Sequence, residues 1–114
     1  MPTTIETETV IDQPCVVLCT CPNVDTAERV AAALLNQSLV ACVNILPGIT
    51  SMYRWQGELC KDTEAQLVIK TQSSQLTELE AVIRQQHPYD VPEIIAMPIQ
   101  WGHQPYLDWI KQNC

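Results

Sequence analysis

The order in which the hydrophobic pattern changes along the chain constrains the fold more than any other feature. Short apolar, partly β-branched runs alternate with segments in which apolar residues recur at helical spacing. The pattern predicts, in order, strand, helix, strand, strand, helix, strand and a short closing helix. This is the split βαβ order, in which an antiparallel sheet carries two helices on one face. We therefore predict an α+β, ferredoxin-like fold.

Turn and cap residues set the boundaries of these elements. Pro47 and Gly48 interrupt the second strand and predict a bend or bulge there. Pro88 ends the second helix, because the residue before a proline is pushed out of the helical region. The predicted strands cover Cys15–Cys21, Leu39–Trp55, Glu64–Thr71 and Pro92–Ile99, and the predicted helices run from Asp25 to Gln37 or Ser38, from Ser73 or Ser74 to His87, and from Pro105 onward.

Length and composition fit one small domain. The chain has 114 residues, of which 46% are hydrophobic, and this is enough for a core without disulfides or a structural metal. We predict a flexible N-terminal tail over residues 1–13, which carry little apolar periodicity, and a single domain over residues 14–114. The sequence shows neither a signal peptide pattern nor an apolar run long enough to span a membrane. We expect a cytoplasmic protein.

The distribution of charge disfavours two kinds of partner. Thirteen acidic and six basic side chains give a net charge of −7, and the basic residues stand singly along the chain. Binding a nucleic acid backbone needs clustered lysines and arginines. We therefore expect no nucleic acid partner and no binding to an anionic membrane surface.

The sheet face without helices predicts self-association. In the third strand, residues Ala65 to Thr71 alternate between two faces, and Val68 lies opposite the face of Leu67 and Ile69. The first strand is predicted to be buried on both faces. Val17, Val68 and the aromatic residues of the hairpin would lie in water on a monomer, so we predict a homo-oligomer.

The cysteines of the first strand are the first candidate for a binding site. Cys19 and Cys21 are two residues apart, so they point the same way on a strand. Thiolate sulfur prefers copper(I) or zinc, and copper is the first candidate. The alternative is that both are small buried hydrophobic residues. His87, at the end of the second helix, is either a structural cap or a functional residue, namely a metal ligand or a pH-sensitive group, and His103 is predicted to be a turn or cap residue.

A second candidate site consists of polar residues on the face without helices. Glu64, Gln66 and Lys70 share that face, with Tyr53 and Trp55 on the neighbouring strand. Such a group at a subunit junction could hold a small ligand, and the alternative is an interfacial ion pair with aromatic packing. The sequence has no activated nucleophile motif and no phosphate-binding glycine loop, so we do not expect an enzyme.

Several motifs, in the same order along the chain, resemble the CutA divalent-cation-tolerance family. The resemblance extends from about Cys15 to about Lys111. The motifs are the segments Val16–Pro22, Leu39–Gly48, Ser51–Gly57, Glu64–Thr71, His87–Ile94 and Tyr106–Trp109.

The resemblance implies a PII-like homotrimer of ferredoxin-like subunits and a role in tolerance of copper and other divalent metals. It also implies that Cys19 and His87 are metal ligands. Gln86 stands where bacterial relatives carry another histidine, so Cys21 would complete the set. The three residues can share an ion only if the fold brings Cys19 close to His87.

A second hypothesis also follows from the resemblance to PII-like proteins. The chain would then be a trimeric regulatory module that binds a small molecule in the clefts between subunits. Its ligand-binding residues would be Glu64, Lys70 and Tyr89.

Overall fold

The computed structural model describes residues 11–114, so the first ten residues of the predicted tail lie outside the described part. Backbone and side-chain atoms of Asp12 and Gln13 hydrogen-bond to Ser73 and Ser74. The elements are β1 (Pro14–Cys21), α1 (Val24–Asn36), β2 (Cys42–Trp55), β3 (Glu58–Gln72), α2 (Leu76–Gln86), β4 (Ile94–Pro98) and α3 (Gln104–Gln112), and a short 3₁₀ turn over Ser73–Gln75 precedes α2.

The four strands form one antiparallel sheet in the order β2-β3-β1-β4. Two of the neighbouring strand pairs, β3 with β1 and β1 with β4, are not connected directly, because a helix or a longer segment intervenes. This is the split βαβ topology. The predicted ferredoxin-like α+β fold is confirmed.

The core lies between one face of the sheet and the helices α1 and α2. On β1, every second side chain is buried, from Cys15 through Val17 and Cys19 to Cys21, and the residues between them are half-buried. Within the single chain, the prediction that β1 is buried on both faces is not met, because the helices cover only one face. Val17, which we expected on the face without helices, is fully buried under them.

The face of the sheet opposite α1 and α2 is largely apolar. Cross-strand pairing places Leu18 beside Ile95 and Val68, and Val16 beside Met97. Ile95 is 50% exposed and Met97 is 45% exposed in the single chain. We call this surface, defined by Val16, Leu18, Val68, Ile95 and Met97, the open face.

The strands β2 and β3 continue beyond the rest of the sheet as a two-stranded arm. Pairing of β3 with β1 ends at Ala65, whereas pairing of β3 with β2 continues to Glu58. At the tip, Gln56 and Gly57 both have positive φ angles, 48° and 81°, as a tight two-residue hairpin turn requires. The predicted bulge is confirmed, because the register of β2 shifts between Leu46 and Ile49.

The ends of the helices follow local chemistry. The Asn23 side chain caps α1 by accepting a hydrogen bond of 2.8 Å from the Thr26 backbone N–H. The last helical residue of α2 is Gln86, and His87 caps it directly before Pro88, as predicted. Helix α3 has Pro105 in its first turn and anchors itself through the buried side chain of Ile110. Among residues 11–114, no helix has the length and apolar character that a membrane crossing requires.

We expect the substitution Asn23→Ala to lower the free energy of unfolding by about 1 kcal/mol, because it removes the cap of α1. Chemical denaturation of the purified protein measures this change. Asn36→Ala, in the exposed last turn of the same helix, is the matched control and should change stability by less than about 0.5 kcal/mol. Equal effects of the two substitutions would contradict the assigned cap.

Candidate metal centre

Alternate side chains of β1 point to the same face of the sheet, and this places the thiols of Cys19 and Cys21 together on the buried face. Cys19 pairs with Leu67 of β3 and Ile94 of β4, and Cys21 pairs with Ala65 of β3. Both cysteines are fully buried and free of disulfides. Because side chains two residues apart on a strand share a face, both thiols lie under the helices.

The end of α2 supplies an imidazole to this place. His87 has an extended backbone with a ψ angle of 136°, as expected for a residue before proline. The backbone N–H of His87 closes the last turn of α2 by donating to the Ile83 carbonyl. Its side chain leaves the helix and reaches β1, where Nε2 lies 2.7 Å from the Thr20 carbonyl oxygen. The histidine is therefore a cap through its backbone and a site residue through its ring.

The fold brings all three predicted metal ligands together. The thiol sulfurs of Cys19 and Cys21 and a ring nitrogen of His87 lie within 4.8 Å of one another, and all three residues are buried. Around one ion the ligand atoms stand about 4 Å apart, since each lies roughly 2.0–2.3 Å from the metal. Two sulfurs and an imidazole nitrogen form a donor set that suits copper(I) or zinc and not magnesium or calcium. We call these three residues the thiol–imidazole cluster.

The two thiols differ in acidity. A hydrogen bond between them raises the pKa of Cys19, and burial raises it further. The same hydrogen bond lowers the pKa of Cys21, against the opposing effects of burial and of the Glu64 charge.

Tyr89 holds His87 from the side opposite β1. Its backbone N–H donates a hydrogen bond of 3.1 Å to Nδ1 of His87, and the two rings lie 4.7 Å apart at an angle of 60°. The hydroxyl of Tyr89 donates a hydrogen bond of 2.8 Å to the carboxylate of Glu64. Glu64 is 7% exposed and lies at the base of the arm, one residue beyond the end of the β1–β3 pairing.

An open groove of about 470 Å³ at the surface is lined in part by His87 of the cluster. It is lined by residues from the end of α2 and the turn that follows, among them Arg84, His87, Tyr89 and Asp90. His87 thus lines the groove, while one of its ring nitrogens lies within 4.8 Å of the buried thiols. The groove gives an ion or a small molecule a path to the imidazole.

The residues predicted to bind a small molecule are divided between two places. Glu64 and Tyr89 are hydrogen-bonded to each other, whereas Lys70 donates to Asn44 of β2. Tyr53, on the arm, donates to Asp62, and its partner across the strands is Cys60, far along β3 from Lys70. Within one chain, Glu64 and Tyr89 therefore belong with the thiol–imidazole cluster and Lys70 does not.

Sequence reasoning missed the backbone groups that orient His87. The Thr20 carbonyl and the Tyr89 N–H each contact one ring nitrogen. A partial signal for the second existed, since the residue before a proline is extended, so the chain leaves the helix at His87 and Tyr89 follows close by in sequence. The sequence carried no signal for the first, because only the packing of α2 on β1 determines which carbonyl faces the ring.

The fold and the cluster define a ferredoxin-like α+β protein with two cysteines and a histidine gathered in one buried place. Residues 15–113 match the family model described as CutA1 divalent ion tolerance protein. The chain therefore belongs to the CutA1 divalent ion tolerance family, which confirms the resemblance seen in the sequence.

Similar proteins come from distant organisms. The divalent-cation tolerance protein CutA of Thermus thermophilus is 48% identical over 98 residues, which cover 86% of this chain and 95% of that protein. Protein CutA of Homo sapiens is 46% identical over 93 residues, covering 82% of this chain and 52% of the human protein. The crystal structure of CutA1 from Oryza sativa has a TM-score of 0.86 at 44% identity, covering 89% of this chain and 93% of that one. This chain thus spans about half the length of the human relative.

We expect the substitution Glu64→Gln to lower the pKa of Tyr89 toward the ordinary tyrosine value of about 10. Burial raises this pKa in the folded protein, and the hydrogen bond to the charged Glu64 raises it further. A raised tyrosine pKa stabilises the fold below the unfolded-state pKa of about 10, and that contribution is lost as the pH rises through the folded-state pKa. The measurement is tyrosinate absorbance as a function of pH, with Tyr89→Phe identifying the Tyr89 signal.

Asp62→Asn is the matched control for this experiment. The hydrogen bond to Asp62 raises the pKa of Tyr53 to about 12, so this substitution should shift the Tyr53 signal and leave the Tyr89 signal nearly in place. A Tyr89 titration that is the same in wild type and Glu64→Gln would contradict the assigned contact.

Proposed function

We propose that this protein binds copper(I) at the thiol–imidazole cluster and thereby contributes to tolerance of the metal. The observation that carries the proposal is the approach of Cys19, Cys21 and His87 to within 4.8 Å in a buried place. Membership of a divalent ion tolerance family supports a metal-related role. Binding lowers the concentration of free ion, and this requires no catalytic step.

The chemistry of the cluster supports copper(I) before other ions. Two thiols are soft ligands, and three ligands suit the low coordination number that copper(I) accepts. Gln86, where bacterial relatives carry a histidine, is exposed at the end of α2, whereas Cys21 is buried beside Cys19. We therefore propose Cys21 as the third ligand. Because free thiols are needed, we also propose that the protein works in a reducing compartment, the cytoplasm.

We further propose that the chain assembles as a homotrimer through its open face and its arm. The open face exposes Ile95 and Met97, and the arm exposes Met52, Trp55 and Leu59, of which Leu59 is 66% exposed. Contiguous apolar surface of this kind is typical of a protein–protein interface. The resemblance to PII-like proteins supports three as the number of subunits.

The metal proposal is tested by titrating copper(I) into the reduced protein in competition with a coloured copper(I) chelator. We expect one ion per chain for the wild type. Cys19→Ser, Cys21→Ser and His87→Ala should each weaken copper(I) binding at least about tenfold. Substitution of a residue that only orients a metal ligand already lowers metal affinity by about this factor, and loss of the ligand itself should lower it at least as much.

Cys42→Ser is the matched control, since Cys42 is a half-buried thiol of β2 outside the cluster. Its affinity for copper(I) should equal that of the wild type. Thermal unfolding of each variant shows whether the fold is retained. Wild-type affinity in both Cys19→Ser and His87→Ala would remove the proposed site.

The assembly proposal is tested by size-exclusion chromatography with light scattering. The wild type should have three times the chain mass of 12.8 kDa, and Ile95→Lys should shift the protein toward the monomer, because it places a charge on the open face. Leu35→Lys, on the solvent side of α1, is the control: Leu35 is 44% exposed, close to the 50% of Ile95. A wild-type protein that is monomeric at micromolar concentration would overturn the proposal.

A further inference from the structure

We propose that His87 can bind a metal ion only when the backbone N–H of Tyr89 releases it, so that metal binding changes the conformation of the turn over residues 87–90. The inference rests on the proposed function, because it concerns the same imidazole. The inference adds that the exposed turn over residues 87–90 changes conformation when the buried cluster binds an ion.

The starting point is that both ring nitrogens of His87 already have partners. Nε2 lies 2.7 Å from the Thr20 carbonyl oxygen, which can only accept a hydrogen bond, so Nε2 carries the proton. Nδ1 lies 3.1 Å from the Tyr89 N–H, which can only donate, so Nδ1 supplies the lone pair. A neutral imidazole has one such acceptor nitrogen. The only lone pair available for a metal is therefore in use.

An ion can reach the ring in two ways, and both break the contact with Tyr89. If the ion binds Nδ1, it takes the lone pair that the Tyr89 N–H now occupies. If it binds Nε2, the ring proton must leave Nε2 and the ring must carry a proton on Nδ1 instead, through exchange with solvent. The Nδ1–H and the Tyr89 N–H would then be two donors facing each other. Rotation of the imidazole ring by about 180° moves Nδ1 away from the Tyr89 N–H and therefore also breaks the contact.

Two further contacts hold Tyr89 in its present position and oppose its release. Its ring packs on the ring of His87 at 4.7 Å, and its hydroxyl donates to Glu64 at 2.8 Å. Glu64 lies at the base of the arm, so the turn is tied to β3. Release of the Tyr89 amide therefore works against both contacts, and a single substitution can remove the hydrogen bond to Glu64.

The surroundings of the turn leave room for the change. Pro88, Tyr89 and Asp90 are exposed in the chain, and Tyr89 and His87 both line the open groove of about 470 Å³. The buried thiols lie within 4.8 Å of a ring nitrogen of His87 and do not line the groove. This turn can therefore rearrange without disruption of the core. Its conformation at the surface would then depend on whether the cluster has bound an ion.

The test is a nuclear magnetic resonance titration of protein labelled with ¹⁵N at tyrosine and histidine. The chain has three tyrosines and two histidines, so few signals appear, and Tyr89→Phe and His87→Ala identify the relevant ones. Zinc and copper(I), both diamagnetic, are added to the reduced protein in separate experiments. We expect the Tyr89 amide signal to shift and its exchange with solvent to accelerate as the His87 ring signals shift. The Tyr106 amide, on α3, should stay in place.

The outcomes separate this inference from the proposed function. If the His87 ring signals respond to metal while the Tyr89 amide keeps its shift and exchange rate, the site exists and the coupling is wrong. If the ring signals do not respond to either metal, the metal site itself fails and the inference fails with it.

Removal of the hydrogen bond between Tyr89 and Glu64 gives an independent readout. Tyr89→Phe keeps the backbone N–H and the aromatic ring but removes the hydrogen bond to Glu64, so release becomes easier. We expect the affinity for copper(I) to rise by about two- to tenfold, which corresponds to loss of one hydrogen bond. Glu64→Gln keeps a neutral acceptor for the hydroxyl and should have a smaller effect. A Tyr89→Phe variant that binds copper(I) more weakly than the wild type would overturn the proposal.

Discussion

Burial of one face of β1 beneath α1 and α2 is the constraint on which the rest of the structure depends. Each second side chain of this central strand is buried, from Cys15 to Cys21, and β3 and β4 pair with it on either side. A shift of register by one residue would turn every buried side chain outward. The position of both thiols under the helices is therefore fixed by the same packing that stabilises the domain.

The thiol–imidazole cluster forms where three consequences of that packing meet. The end of β1 presents Cys19 and Cys21 to the helices, and α2 ends where Pro88 forces it to end. His87 is then held by the Thr20 carbonyl on one side and by Tyr89 on the other. Ligands placed by a strand and a helix end are better oriented than ligands on a free loop. Even so, the hydrogen bonds that orient the ring also occupy it, which gives the turn after α2 its proposed role in metal binding.

The open face and the arm carry the apolar side chains that the single chain leaves exposed. A four-stranded sheet with helices on one side leaves its second face in water, and here that face carries Leu18, Ile95 and Met97. Beyond the sheet, the two-stranded arm exposes Trp55 and Leu59. In a single chain these side chains are exposed to water, and the proposed assembly would bury them. The proposed trimer and the proposed metal site thus use opposite faces of the same sheet.

The sequence by itself determined the order of the elements, the bulge after Leu46, the end of α2 at His87 and the family, because hydrophobic period, proline and glycine act locally. It also identified Cys19, Cys21 and His87 as candidate ligands. Only the tertiary structure decided that the three meet, that Val17 faces the helices, and that Tyr89 and Glu64 support His87 while Lys70 lies elsewhere. The physical reason is that strand register and the packing of α2 on β1 are relations between segments distant in sequence, and local pattern does not contain them.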